Sequence, residues 1–133
     1  MSSDASIIVA PHPTLAGVAT FTLNRPKALN SLDEAMTKAF VPAIQQIASD
    51  ASIRVVIVQG AGEHFMAGGD IKGFAATLET SGADRQTHFR DMIAYLHGGI
   101  ELMQRMPKPA QAPRTLATVM IGMRCINSMP PCR

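Results

Sequence analysis

Two apolar segments of different period, joined by an amphipathic one, constrain this chain most. Residues Gly17–Leu23 alternate, with Ala19, Phe21 and Leu23 on one face and Val18, Thr20 and Thr22 on the other. That is the two-residue period of a half-buried strand. Ile53-Arg-Val-Val-Ile-Val58 is a nearly continuous apolar run, the composition of a parallel strand covered on both faces. Between them Leu32, Met36, Ala39/Phe40, Ala43/Ile44 and Ile47 recur at helical spacing, so one face of a helix is apolar.

Around this unit the remaining elements can be placed. Ser6–Val9 is a short apolar strand, and Pro11, Pro13 and Gly17 lie in the connection to the next strand, which predicts a hairpin. Asn24–Asn30 is a loop, since Pro26 removes a backbone donor. Ser31-Leu-Asp-Glu34 matches a capping box, so the helix is expected to begin there. Pro42 removes an internal helical bond, and a kink is expected. Gly60–Asp70 is a loop, Ile71–Leu78 a short helix, and Thr80-Ser-Gly82 a break. A long helix is predicted over Asp84–Met106, with Phe89, Ile93, Leu96, Ile100 and Met103 on one stripe. Gly98-Gly99 weakens it by about 1 kcal/mol per glycine relative to alanine, and Pro107-Lys-Pro109 ends it. Strand, helix, strand, helix is the order of an α/β fold.

Composition excludes several function classes. The chain has 133 residues, 47% hydrophobic and 17% charged, so it can build a core and is not a disordered tail. A net charge of +2, no Trp and one Tyr leave neither a basic footprint nor stacking platforms for nucleic acid. No apolar run reaches the roughly 18 residues of a membrane span. The N-terminus Met1-Ser-Ser-Asp-Ala has neither the basic start nor the apolar stretch of a signal peptide. The expected setting is therefore cytoplasmic, without membrane or nucleic-acid partners. Cys125 and Cys132 are separated by six residues, which fits no common zinc spacing, so no metal site is expected. Free thiols are the first reading and a disulfide is its rival.

Charge divides the chain. Residues 1–109 hold nine Lys/Arg and ten Asp/Glu, whereas residues 110–133 hold three Arg and no acid, together with both cysteines. The expected organisation is a 1–109 body and an atypical 110–133 tail, with a strand over Thr115–Ile121.

Two glycine-bearing loops are candidates for chemistry. Gly60-Ala-Gly62 follows a buried strand, but position 65 is Phe65 and no helix opens at Gly62, so a dinucleotide fingerprint is rejected in favour of a plain turn. Ala67-Gly68-Gly69-Asp70-Ile71 is more specific. Consecutive glycines allow N–H groups to point into a cavity and hold a developing oxyanion. The alternative is a tight turn with Asp70 as a helix cap. Spacing leaves both open.

Three segments then occur in order: Phe21-Thr-Leu-Asn-Arg-Pro-Lys-Ala-Leu-Asn30, Val55-Val-Ile-Val-Gln-Gly60 and Phe65-Met-Ala-Gly-Gly-Asp-Ile-Lys72. Together they resemble the N-terminal half of the enoyl-CoA hydratase/isomerase (crotonase) superfamily, and Lys108-Pro109 resembles its next helix end. The likeness covers roughly residues 5–109. It implies a partial ββα spiral, an acyl-CoA thioester as partner, and assembly as a trimer or hexamer. It implies no cofactor beyond the coenzyme A of the substrate itself. By resemblance, Gly69 matches the first backbone donor to an enolate oxygen. Lys27, Ala28 and Leu29 match a loop along the CoA moiety. Ala67, Gly68, Gly69, Asp70 and Ile71 match the stretch beside its adenine and pantetheine arm.

The departures lie after Pro109. Gly122 is followed by Met-Arg-Cys, so no second donor is assigned, and the last acid is Glu101, before the positions of the glutamates many relatives use. The tail has the look of a frameshift, truncation or aberrant splice, and the chain is expected to be catalytically incomplete. A non-catalytic CoA-binding or assembly chain, or a nonfunctional product, is the alternative. His12, His64, His88 and His97 are scattered, Glu63 reads as solvated, and the nine Met read as core filler.

Overall fold

The computed structural model describes residues 5–76 and 82–111. The hairpin forms as the alternation predicts: β1 (Ile7–Pro11) pairs antiparallel with β2 (Val18–Leu23), and Ile7 lies opposite Leu23. His12 caps the connection, its ring Nδ1 accepting from the Thr14 and Leu15 amides at 3.3 and 3.2 Å. After a 3-10 turn at Pro26–Ala28, α1 (Glu34–Ser49) carries the chain to β3 (Val55–Gly60), which pairs parallel with β2. Next come α2 (Ile71–Ala76) and α3 (Gly82–Arg105), and β4 (Ala110–Gln111) returns parallel to β3. The sheet order is β1-β2-β3-β4. Ala110 and Gln111 thus belong to the sheet; the expected strand over Thr115–Ile121 and both cysteines lie outside the described residues.

The core lies between one face of this sheet and α1 and α3. Ala19, Phe21 and Leu23 of β2 and Val56 and Val58 of β3 are buried. They meet Met36, Phe40, Ile44 and Ile47 of α1 and Met103 of α3. Phe21 and Phe40 pack edge to face, with ring centroids 5.3 Å apart. One expectation needs correction: among the described residues β3 is buried on one face only. Val55, Ile57 and Gln59 stay half-buried, in register with Val18, Thr20 and Thr22, because both long helices pack on the opposite side. Thr22 Oγ1 accepts from Gln59 Nε2 on this open face at 3.1 Å.

The helix caps also differ from expectation. The N-cap of α1 is Asp33, whose Oδ1 accepts from the Met36 amide at 2.7 Å. Ser31 lies two residues too early, and Glu34 instead pairs with Lys38. Pro42 sits inside α1, which runs unbroken to Ser49. In α3 the two glycines separate in role. Gly99 is buried and a Cβ there would stand 2.7 Å from the Phe40 ring. Its lack of a side chain is what lets α3 approach α1. Ile93, expected on the buried stripe, is 48% exposed; Gly99, Met103 and Met106 form the buried end of that seam.

Lys108 closes the C-terminus of α1, donating to the carbonyls of Ile47 at 2.7 Å and Asp50 at 2.6 Å. These are carbonyls a helix end leaves without intrahelical partners, at the negative end of its dipole. Lys108→Met keeps the stem and removes the donors, and should cost about 1–2 kcal/mol in urea denaturation.

Candidate functional site

The candidate residues come from two loops that leave the same ends of β2 and β3. In the first, Leu29 and Asn30 both take left-handed backbone, with φ of 54° and 53°. Such backbone costs an ordinary residue about 1–2 kcal/mol and persists only where surrounding contacts hold it. Asn30 supplies those contacts. It is fully buried; its Nδ2 donates to the carbonyls of Ala61 (2.9 Å) and His64 (2.7 Å), and its Oδ1 accepts from the Arg25 amide at 2.8 Å. One side chain therefore shapes the first loop and fastens it to the second. Gly60 completes the joint: a Cβ there would run into the His64 and Phe65 carbonyls.

The loops are then laced together along their length. Ala67 donates to the Leu29 carbonyl at 3.1 Å, Leu32 to the Gly68 carbonyl at 2.8 Å, and Asp70 to the Leu32 carbonyl at 2.9 Å. Leu32 and Gly69 form a parallel bridge. In extended backbone successive peptide groups point to opposite sides. Because the Gly68 carbonyl and the Asp70 amide both face Leu32, the Gly69 N–H is turned away from it. Gly69 is exposed, and among the described residues nothing accepts from its amide. Behind it stands Phe74, whose ring edge would be 2.6 Å from a Cβ at residue 69. Phe74 in turn packs edge to face on Phe89 of α3, 5.1 Å between centroids.

Both readings left open by the glycine spacing have a structural counterpart, on different groups. Asp70 is a cap: its Oδ1 accepts from the Lys72 and Gly73 amides at 3.1 and 3.2 Å. Those two helix-end donors are therefore occupied by a carboxylate, whereas the amides of Gly68, Gly69 and Ile71 have no acceptor among the described residues. Asp70 Oδ2 meets the Arg25 guanidinium at 3.0 Å. The Gly73 amide, followed by the Arg25 side chain, holds the Asp70 carboxyl below its ordinary value of 3.8. A depressed carboxylate stabilises the folded state above its unfolded pKa, and this is lost as pH falls through the folded value. Asp70→Asn should therefore lower the thermal midpoint most at neutral pH, where the carboxylate's contribution is full, and converge on the wild-type midpoint below about pH 4, as read from thermal midpoints across pH.

Of the other candidates, Lys27 is exposed and Ala28 half-buried in the 3-10 turn, and Leu29 is 47% exposed. Ala67 is exposed and Gly68 half-buried, with Gly68 at φ 99°. Ile71 is 79% exposed at the start of α2, beside the exposed Lys72. The structure thus brings the 27–29 and 67–71 loops side by side. Arg25 and Asn30, which hold them there, carry no periodic or spacing signal; the one available hint was that Asn tolerates left-handed backbone. Among the described residues no helix is long and apolar enough to cross a membrane.

Comparison with known proteins bears on the family and the fold. A family model described as enoyl-CoA hydratase/isomerase matches residues 18–112. A probable enoyl-CoA hydratase of Mycobacterium bovis is 30% identical over 110 residues, covering 83% of this chain and 38% of its own length. A mitochondrial Delta(3,5)-Delta(2,4)-dienoyl-CoA isomerase of Mus musculus is 33% identical over 94 residues, 68% of this chain and 29% of its own. The crystal structure of an enoyl-CoA hydratase from Mycobacterium smegmatis superposes with a TM-score of 0.67 at 33% identity, over 80% of this chain and 38% of that one. The chain thus spans less than two-fifths of the length of these relatives.

Proposed function

Because the chain belongs to the enoyl-CoA hydratase/isomerase family and has the fold of the N-terminal part of its members, we propose that it binds acyl-CoA thioesters between its two laced loops and polarises the thioester carbonyl through the Gly69 amide. The observation that carries this reading is the Leu32–Gly69 bridge, which turns one unclaimed backbone donor outward from a loop fixed on both sides. A preorganised amide of this kind stabilises charge developing on oxygen without having to reorient. The Lys27–Leu29 turn forms the neighbouring wall, and the exposed Lys27 and Lys72 supply positive charge for the phosphates of coenzyme A. No cofactor besides that coenzyme is invoked, and no metal.

In the same proposal the described residues do not complete a hydration site. Asp70, the acid next to Gly69, has both oxygens engaged, one by helix amides and one by Arg25. Self-assembly into a trimer or pair of trimers belongs to the reading too, supported by the apolar Ile93 and Tyr95 left exposed.

Calorimetry with acetyl-CoA tests the site. Saturable binding is expected, weakened about tenfold by Lys27→Ala, equivalent to 1.4 kcal/mol, and weakened again by Gly69→Val, which drives a side chain into Phe74. Binding unchanged by both substitutions would place the ligand elsewhere.

A further inference from the structure

Arg25 occupies the junction of the two loops. Its Nε lies 3.1 Å from Asp33 Oδ2 and its Nη2 3.0 Å from Asp70 Oδ2. Its Nη1 donates to the Ser31 carbonyl at 2.6 Å and lies 3.4 Å from Ser31 Oγ. Each carboxylate divides its two oxygens in the same way: Oδ1 of Asp33 caps α1 and Oδ1 of Asp70 caps α2, while both Oδ2 atoms turn to the guanidinium. Ser31 and Asp33 flank Leu32, whose N–H and C=O hold Gly68 and Asp70. Asp70 directly follows Gly69. The guanidinium therefore grips both sides of the short ladder that carries the outward amide, bridging 45 residues of sequence to do so.

Charge-assisted bonds from a rigid planar fork fix direction as well as distance. Nη1 and Nη2 donate to Ser31 and Asp70 while Nε stands 3.1 Å from an Asp33 oxygen as an ion pair, a spread that the single ammonium of a lysine cannot reproduce. The guanidinium side chain is 23% exposed, so it is screened less than a surface pair. All its assigned bonds run to protein groups.

We propose that Arg25 is a positioning residue, a clamp between the caps of α1 and α2 that holds the aim of the Gly69 N–H. This rests on the reading of Gly69 as the carbonyl donor. Loosening the clamp lets the 68–70 strand rotate against Leu32, and the amide loses its direction while the outer walls of the site remain.

The test pairs a spectral and an affinity measurement on the 133-residue chain. The probe is 4-dimethylaminocinnamoyl-CoA, a push–pull chromophore whose absorption moves to the red when its thioester carbonyl is polarised. Free coenzyme A, which has no carbonyl at that position, reports the outer walls. The wild-type chain should show the red shift. Arg25→Gln should lose it, and Arg25→Lys should fail to restore it, while the affinity for free coenzyme A stays within about threefold in both. Red shift retained by either bound variant overturns the clamp and leaves the Gly69 reading intact. Shift and coenzyme A affinity lost together, or failure of both variants to fold, marks Arg25 as a general fold residue and overturns the proposal. No red shift in the wild-type chain overturns the donor reading, and the clamp with it.

Discussion

Crotonyl-CoA presented to the 133-residue chain is expected to be hydrated at least about 10⁴-fold more slowly than by a site with two oxyanion donors and a positioned acid–base pair. Loss of one oxyanion donor typically costs about 10²–10³ in rate. General acid–base help contributes about 10²–10⁴, and the product of the two lower limits is the stated bound. Gly69 provides one amide. The obvious substitute for the base is Asp70, yet a carboxylate held below its ordinary pKa by the Gly73 amide and Arg25 is a poor proton acceptor. Its two oxygens also already have partners. Glu63 is exposed on the preceding loop. The measurement is the loss of enoyl-thioester absorbance with soluble chain. Fast turnover that disappears in Asp70→Asn would contradict the prediction and make Asp70 the base.

Asn30→Ala should be the most damaging single substitution at the site, lowering stability by about 3–5 kcal/mol. The three groups it serves are all backbone: the Ala61 and His64 carbonyls and the Arg25 amide. Each loses a bond worth about 1 kcal/mol net, and more where the abandoned group stays buried. Alanine must also adopt φ near 53°, at about 1 kcal/mol or more. Domains have only about 5–15 kcal/mol in hand, so urea titration should show a large fall in midpoint. Coenzyme A binding should fall with it, because Asn30 fastens the first loop to the start of the second. Asn30→Ala with a wild-type midpoint would show that the loops are held by something else.

The elements legible in the sequence were those with a period. Ala19, Phe21 and Leu23 point one way because strand side chains alternate, and they are buried as expected. The α1 stripe from Met36 to Ile47 likewise meets the sheet. Periodicity cannot say how many helices cover a sheet, which is why β3 read as buried on both faces. Cap position was misread: Ser31-Leu-Asp-Glu34 matches a capping box, but the cap is Asp33, whose Oδ1 accepts from the Met36 amide while its Oδ2 stands beside Arg25. The Gly98-Gly99 pair read as a weakness of α3; at Gly99 it is the condition for α1 and α3 to touch.

At the site, the glycine-rich loop was legible and its supports were not. Arg25 reaches Asp70, Asn30 reaches His64, and Lys108 reaches Ile47 across 45, 34 and 61 residues. Side chains that bond groups distant in sequence leave no local pattern, since nothing near them in sequence repeats or complements them. They become visible only when the distant segments are folded together.

Carbonyl polarisation by that amide is the central claim, and isotope-edited infrared spectroscopy of acetyl-CoA labelled with ¹³C at the thioester carbonyl tests it most directly. The carbonyl band should move to lower frequency on binding to the wild-type chain and stand at its free position, at ligand concentrations that saturate the weakened site, in Gly69→Pro, which removes the N–H and also presses a Cβ on Phe74. A bound ligand whose carbonyl band stays at the free position in the wild-type chain, or shifts equally in Gly69→Pro, would contradict the account.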